Sequence, residues 1–384
     1  MIERTATARL LRLAAQYPIL TLTGPRQSGK TTLVRHIFPD KPYASLEDLD
    51  IRRFAQSDPR GFLAGFPEGA VFDEIQRVPD LLSYIQGIVD SKQTKGMFVL
   101  TGSQSFALMS GISQSLAGRT AIAELYPLTL GEISATRELG DPWESIHTGF
   151  YPRVIADRLD PAEACSSYLR TYVERDIRNL SSIKDLGRFE TFLILCAGRT
   201  GQLLNIASLA ADSGVSQNTA KDWLSLLETS YVLFLLRPWH GNIGKRLIKS
   251  PKLHFIDTGL ACALLSIGSP QVLSSHPLRG HLFETMVVAD ILKQRSHEGT
   301  LGTMSFFRDS GGQEIDLFLV GGEGIDQMEI KSGSTVGEDF LAPLRWASAL
   351  LPDMRSSTLL YGGDASSFRE GIAVRGWKSL AGSM

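Results

Sequence analysis

The chain has 384 residues, 43% hydrophobic and 21% charged, a globular composition that exceeds one ordinary core and predicts two or three domains. Its 39 Lys and Arg against 41 Asp and Glu leave a net charge of −2, so contact with nucleic acid has to come from a local basic patch rather than a global positive field. Cys165, Cys196 and Cys262 are far apart and form no C-x-x-C pair, which argues against zinc and a disulfide framework and fits a reducing cytoplasm.

In chain order, residues 1–16 read as an amphipathic helix burying Leu10, Leu11 and Leu13, and not as a signal peptide. Strand-like runs follow at 18–24, 42–46, 70–74, 97–102 and 119–125, with helical stretches between them, notably 29–38 and 79–91. Such alternation predicts βαβ units around a mainly parallel sheet, ending near Gly149. Helices are expected over 162–180 and 187–199, a linker over 240–252, and a mixed α+β pattern beyond. The expected modules are residues 1–150, 151–240 and 241–384. The longest apolar run, 231–236, falls far short of the ~20 residues a membrane helix needs.

The first strand runs into GPRQSGKT, Gly24–Thr31, which meets G-x-x-x-x-G-K-[ST] at every required position and opens a helix. Gly24, Pro25, Arg26, Gln27, Ser28, Gly29, Lys30, Thr31 and Thr32 are therefore expected to bind ATP. The glycines let backbone amides curl around phosphate oxygens, and the helix N-terminus adds its positive dipole end. Lys30 reaches the β- and γ-phosphates, and the Thr31 hydroxyl ligates Mg²⁺. Hydrolysis also needs an acidic strand end, and AVFDEIQ supplies one. Asp73 is expected to help hold Mg²⁺, and Glu74 to act as general base on the attacking water. Ser103 or Gln104, ending the next strand, faces the same crevice and suits a γ-phosphate sensor. Arg119 is expected to stabilise charge, in cis or from a neighbouring subunit. An ATPase follows from this set.

LTGPRQSGKTTL, VFDEIQ, VLTGSQ, SLAGR, YPLTLGE and YLRTYVERDI together resemble prokaryotic AAA-type ATPases that carry an uncharacterised C-terminal domain. LLETSYVLFLLRPW, SPKLHFIDTGL and EIDLFL…MEIKSG are similar to that domain, so the resemblance runs from Thr21 to Ser332. It implies ATP and Mg²⁺ as cofactors, assembly into a homo-oligomer in which Arg119 acts in trans, and a last domain resembling the PD-(D/E)xK, restriction-endonuclease-like fold.

The middle stretch 203–238 reads helix, turn, helix, strand, which is a winged-helix pattern. Gly214 marks the turn, Ser216 caps the second helix, and Ala220, Trp223, Leu224 and Leu227 form its buried stripe. Gln217, Asn218 and Lys221 face outward, with Asp222 beside them. Lys245, Arg246, Lys249 and Lys252 follow with no acidic residue among them, a patch suited to a DNA backbone or to a solvated linker.

The last feature is QEIDLFLVGGEGIDQMEIKSG, Gln313–Gly333. Pairing symmetric about a four-residue GGEG loop sets Val320 opposite Ile325, Asp316 opposite Glu329, and Glu314 opposite Lys331. Glu314, Asp316, Glu329 and Lys331 then share one face, while Ile315, Leu317, Met328 and Ile330 share the core face. Facing carboxylates repel unless a cation lies between them, which predicts a second Mg²⁺ on Asp316 and Glu329, with Lys331 beside it and Glu284 as a third carboxylate. Asp-x₁₂-Glu-x-Lys with an upstream helical Glu is the pattern of the PD-(D/E)xK nucleases. Two functions stay open: an ATP-driven enzyme that binds or cuts DNA with Mg²⁺, or a nucleotide-switched regulatory module with a catalytically silent C-terminal domain.

Overall fold

The apolar runs of the first 125 residues become five parallel strands, β1 Ile19–Thr23, β2 Tyr43–Ser45, β3 Val71–Asp73, β4 Phe98–Thr101 and β5 Thr120–Glu124, in the order β2-β3-β4-β1-β5. The computed structural model describes residues 2–103, 115–172, 183, 185–240, 249–351 and 353–382. Helices α1 Ala6–Gln16, α2 Lys30–Ile37, α3 Leu49–Ser57, α4 Pro59–Ala64 and α5 Leu81–Lys92 complete this part. Neighbouring residues along each strand enter different cores. Ile19, Phe72, Phe98 and Leu100 pack with Phe62, Leu81 and Ile85. Leu20, Leu22, Val71 and Val99 pack with Leu10, Leu33 and Val34. Strands buried on both faces are what a parallel sheet requires. In α1 the buried stripe is Ala6, Leu10 and Ala14, while Leu11 is 46% exposed. The i, i+4 spacing of that stripe turns Leu11 about 100° away from it, so the expected burial of Leu11 is corrected.

The chain groups into two units, the first made of Met1–Leu128 with Thr229–Tyr231 and Lys293–Thr300, the second of Thr129–Glu228, Val232–Leu292 and Leu301–Met384. The second unit begins with short helices α6 Leu130–Ser134, α7 Pro142–Thr148, α8 Pro152–Ala156 and α9 Pro161–Tyr172. There follow α10 Leu186–Ala197, β6 Gln202–Leu203, α11 Ile206–Asp212, α12 Gln217–Thr229, β7 Leu233–Pro238 and β8 Lys252–Phe255. Its last part contains α13 Thr258–Leu264, α14 Pro270–Ser275, α15 Arg279–Glu298, β9 Thr303–Arg308, β10 Glu314–Gly321, β11 Gly324–Lys331, α16 Ala342–Leu350, β12 Met354–Tyr361, β13 Ser367–Arg369 and β14 Ile372–Gly376. The nine strands form one sheet in the order β13-β14-β12-β11-β10-β9-β7-β8-β6.

That sheet explains why residues 151–240 and 241–384 do not separate as two units. β7 pairs antiparallel with β8 and parallel with β9, so strands from both expected modules share one hydrogen-bonded ladder. The hairpin is tighter than expected. Gly321 pairs with Gly324, leaving Gly322 and Glu323 as a two-residue turn. Because both ends shorten equally, Val320 still faces Ile325 and Leu317 faces Met328. Ile315, Leu317, Met328 and Ile330 are buried.

Candidate functional site

The phosphate-binding loop leaves β1 at Thr23 and enters α2 at Lys30. Gly24 has φ 140°, and a Cβ there would sit 2.2 Å from the Leu125 carbonyl oxygen, so only glycine fits this turn. Gly29, at φ 91°, starts the helix from the left-handed region. The Arg4 guanidinium donates to the carbonyls of Ser28 (2.7 Å) and Tyr126 (2.6 Å) and holds the loop from behind. Lys30 is 6% exposed, and its ammonium donates to the carbonyls of Gly24 (2.9 Å) and Pro25 (2.6 Å). Burial pulls its pKa down to about 8, against the Glu74 and Asp73 carboxylates, which raise it. Ser28 is fully buried, and its hydroxyl finds no partner among the described residues. Pro25 is buried, Arg26 and Thr31 half-buried, Gln27 and Thr32 exposed.

Asp73 ends β3 under a canopy of hydroxyls. Thr31 and Tyr43 each donate to its Oδ2 at 2.8 Å, and Thr101, ending β4, donates to its Oδ1. Burial and that bond push the Tyr43 pKa up to about 12. Glu74 has φ 57°, an uncommon left-handed conformation for a residue with a side chain. Burial raises its pKa, with Lys30 opposing. The Gln76 amide donates to the Glu74 carboxylate and to the Ser103 hydroxyl (3.0 Å), tying the base candidate to the sensor candidate. Gln104 lies outside the described residues.

Arg119 is at the other end of the strands. Its carbonyl accepts from the Ile19 amide (3.2 Å), where β1 and β5 begin, and its guanidinium grips Asp90 (2.9 Å). At about 3.3 Å per residue, a five-residue strand carries the loop well beyond its reach, so a role in cis is corrected.

Arg4, Tyr43, Gln76 and Thr101 were missed in the sequence. Thr101 had a signal: LTG ends both β1 and β4, whose tips meet at the crevice. Tyr231 had none. It sits at φ 58°, its hydroxyl donates to Glu124 (2.9 Å) and lies 3.2 Å from the Thr23 hydroxyl, one residue before the loop. The glycine cradle, the buried ammonium that turns back onto the loop, the unpartnered Ser28 hydroxyl and the Thr31–Asp73 oxygen pair fit a nucleoside triphosphate with Mg²⁺.

In the second unit, Glu284 of α15 and Glu314 and Asp316 of β10 come together around an unexpected residue, with Glu329 and Lys331 of β11 beside Asp316. Lys252 of β8 places its ammonium 2.5 Å from Glu314, 2.8 Å from Glu284 and 3.4 Å from Asp316. Lys331 lies 2.5 Å from Glu329 and 4.0 Å from Asp316. Lys252 is 3% exposed. Burial disfavours its charge, but Glu284, Asp316 and Glu314 outweigh that and raise its pKa above the ordinary lysine value. Burial, reinforced by the Asp316 charge, pushes Glu284 and Glu329 up to about 8. Beyond the Leu317–Met328 pair, the Asp316 carboxylate accepts from the Ile330 amide (2.9 Å). Among the described residues, no group of three or more His, Cys, Asp and Glu is arranged to hold a metal ion. A Mg²⁺ needs oxygens at about 2.0–2.1 Å, and the ammonium stands at their focus. The expected Mg²⁺ set Glu284, Asp316 and Glu329 therefore does not fit the cation, and Lys252 leaves the basic patch. Lys249 is exposed, while Lys245 and Arg246 lie outside the described residues.

Helices α11 and α12 meet at Gly214 (φ 68°), and the Ser216 hydroxyl accepts from the Thr219 amide (3.1 Å) as a helix cap. Ala220, Trp223, Leu224 and Leu227 are buried, while Gln217, Asn218, Lys221 and Asp222 are exposed. The strand after α12 is interior to the sheet, paired on both edges, so it is not itself a wing.

A parallel sheet carrying this loop, with Asp73 and Glu74 at the adjoining strand end, defines a P-loop ATPase of the AAA type, and residues 16–134 match the family described as AAA domain. Residues 140–271 and 279–378 match two families described as domains of unknown function, DUF8612 and DUF4143. The chain belongs to the family of the uncharacterised proteins Mb2031c of Mycobacterium bovis and Rv2008c of Mycobacterium tuberculosis. It is 34% identical to each over 323 residues, covering 83% of this chain and 71% of theirs. Among solved structures, the Walker-type ATPase PABY2304 of Pyrococcus abyssi aligns with a TM-score of 0.48 at 15% identity, over 69% of this chain and 96% of that one. AMPPCP-bound DnaA from Aquifex aeolicus aligns with a TM-score of 0.31 at 14% identity, over 58% and 85%. Among the described residues, no helix is long and apolar enough to cross a membrane.

Proposed function

We propose that the protein is an ATP-hydrolysing switch whose output is a DNA-binding helix–turn–helix, with a C-terminal part that does not cut. The observation that carries the first half is the Thr31–Asp73 hydrogen bond beside a Glu74 held in a left-handed backbone conformation. Thr31 and Asp73 would hold Mg²⁺, which supplies charge neutralisation at the phosphates. The loop amides and Lys30 bind the β- and γ-phosphates. Glu74 takes the proton of the attacking water, and Gln76 keeps Glu74 and Ser103 in one constellation. Arg119 would serve only from a neighbouring copy.

The DNA output is supported by the order α10, β6, α11, α12, β7, β8, in which β8 pairs with both β6 and β7. That is a winged-helix order, with α12 as the recognition helix. Coupling has a covalent route, because α12 ends at Thr229 and Tyr231 is bonded beside the loop. The second reading is Mg²⁺-dependent cleavage by a PD-(D/E)xK-like domain. The convergence of Asp316, Glu329 and Lys331 favours it, and Lys252 in their midst counts against it.

The test is turnover of Mg²⁺·ATP by the full chain, with duplex-DNA affinity followed by fluorescence anisotropy. Glu74→Gln should bind ATP normally and hydrolyse it about 100-fold or more slowly. Undiminished turnover removes Glu74 as the base. DNA affinity identical with and without ATP removes the DNA output.

A further inference from the structure

Four carboxylates, Glu284, Glu314, Asp316 and Glu329, converge where little water reaches, with Glu284, Asp316 and Glu329 each under 9% exposed. Buried carboxylates at such spacing are tolerated only where protons neutralise some of them or a cation lies among them. Here the cations belong to the chain: Lys252, Lys331, and Arg308, whose guanidinium lies 2.8 Å from Glu314. Lys252 reaches carboxylates from both α15 and β10, at 2.5–3.4 Å. Its ammonium also lies 5.6 Å from the centre of the Phe306 ring, an aromatic face that favours a cation.

Two further atoms point to the same place. The Glu329 Oε2 and the His254 Nε2 are buried and have no hydrogen-bond partner among the described residues. His254 is fully buried, its Nδ1 lies 3.1 Å from the Thr285 hydroxyl, and its Nε2 is 3.9 Å from Glu284. A carboxylate oxygen and an imidazole nitrogen are metal-ligand types left idle beside a focus that already holds a charge.

We infer that the Lys252 ammonium takes the place of a divalent cation in this cluster, so that the site is neutralised from within, and that removing the lysine turns it into a metal site. Glu284, Glu314 and Asp316, which the ammonium reaches, then become the oxygen ligands, and His254, beside Glu284, a nitrogen ligand. The inference refines the non-cutting half of the proposed function and is independent of the ATPase half.

The test is Mn²⁺ binding to the nucleotide-free full chain, followed by the loss of the free-ion electron paramagnetic resonance signal. Wild type and Asp316→Asn should bind Mn²⁺ identically. Lys252→Ala should gain one site, on the order of 100-fold tighter than anything in wild type, and Lys252→Ala with Asp316→Asn should lose it. Mn²⁺ should also raise the melting temperature of Lys252→Ala. A wild-type site that Asp316→Asn abolishes overturns the inference, as does a folded Lys252→Ala that gains none. Should Lys252→Ala not fold, the wild-type and Asp316→Asn pair still decides. ATP turnover on the same preparations reports the ATPase reading separately.

Discussion

Gly24 shows how narrowly one residue can be determined. Its φ of 140° and the 2.2 Å from a Cβ to the Leu125 oxygen exclude any side chain without a backbone shift. Gly24→Ala should cost about 1–3 kcal/mol in strain, and the ATP-induced rise in melting temperature should vanish; a wild-type rise would refute the role given to this turn. The loop was legible at this scale because its chemistry is contiguous, Gly24 to Thr31. Lys252 was not. Its partners Glu284 and Asp316 are 32 and 64 residues away, and nothing local separates a buried counter-ion from a basic surface residue. The fully buried pattern of its strand, KLHF, is a structural fact that composition conceals.

At the scale of elements, short apolar runs bounded by turns identified all five strands of the first sheet, and helical spacing identified the α12 stripe. What failed was pairing. The strand after α12 reads the same whether it ends in a free wing or lies between two neighbours, because partners are set by residues elsewhere in the chain. The α12–Tyr231 junction carries a prediction of its own. Tyr231→Phe removes the bond to Glu124 and should cost about 1 kcal/mol while leaving ATP turnover within a few-fold of wild type. The difference in DNA affinity between the ATP-bound and nucleotide-free chain should shrink. If that difference persists in full, the signal does not pass through the Tyr231 hydroxyl.

For the whole molecule, the buried carboxyls set a pH dependence. Glu284 and Glu329 titrate near 8 in the folded chain, mainly through burial, against an ordinary value of 4.5. The folded state therefore keeps protons that the unfolded state releases, and stability falls as pH rises from about 4.5 to about 8, then levels off. Urea midpoints of the full chain between pH 5 and 9 should show this decline, and Glu329→Gln should flatten it. A midpoint that rises over that range would contradict the burial of these groups. Two units imply that unfolding is to be followed by probes in each.

The bond between Thr31 and Asp73 also bears on the order of events. The Thr31 oxygen, as donor, keeps its lone pairs, but both Asp73 oxygens already accept hydrogen bonds, from Thr31, Tyr43 and Thr101, and do not offer their full lone-pair sets to a bare ion. Magnesium should thus arrive already chelated by ATP rather than wait in the crevice, and adding the metal first should bring no gain in the rate of nucleotide capture.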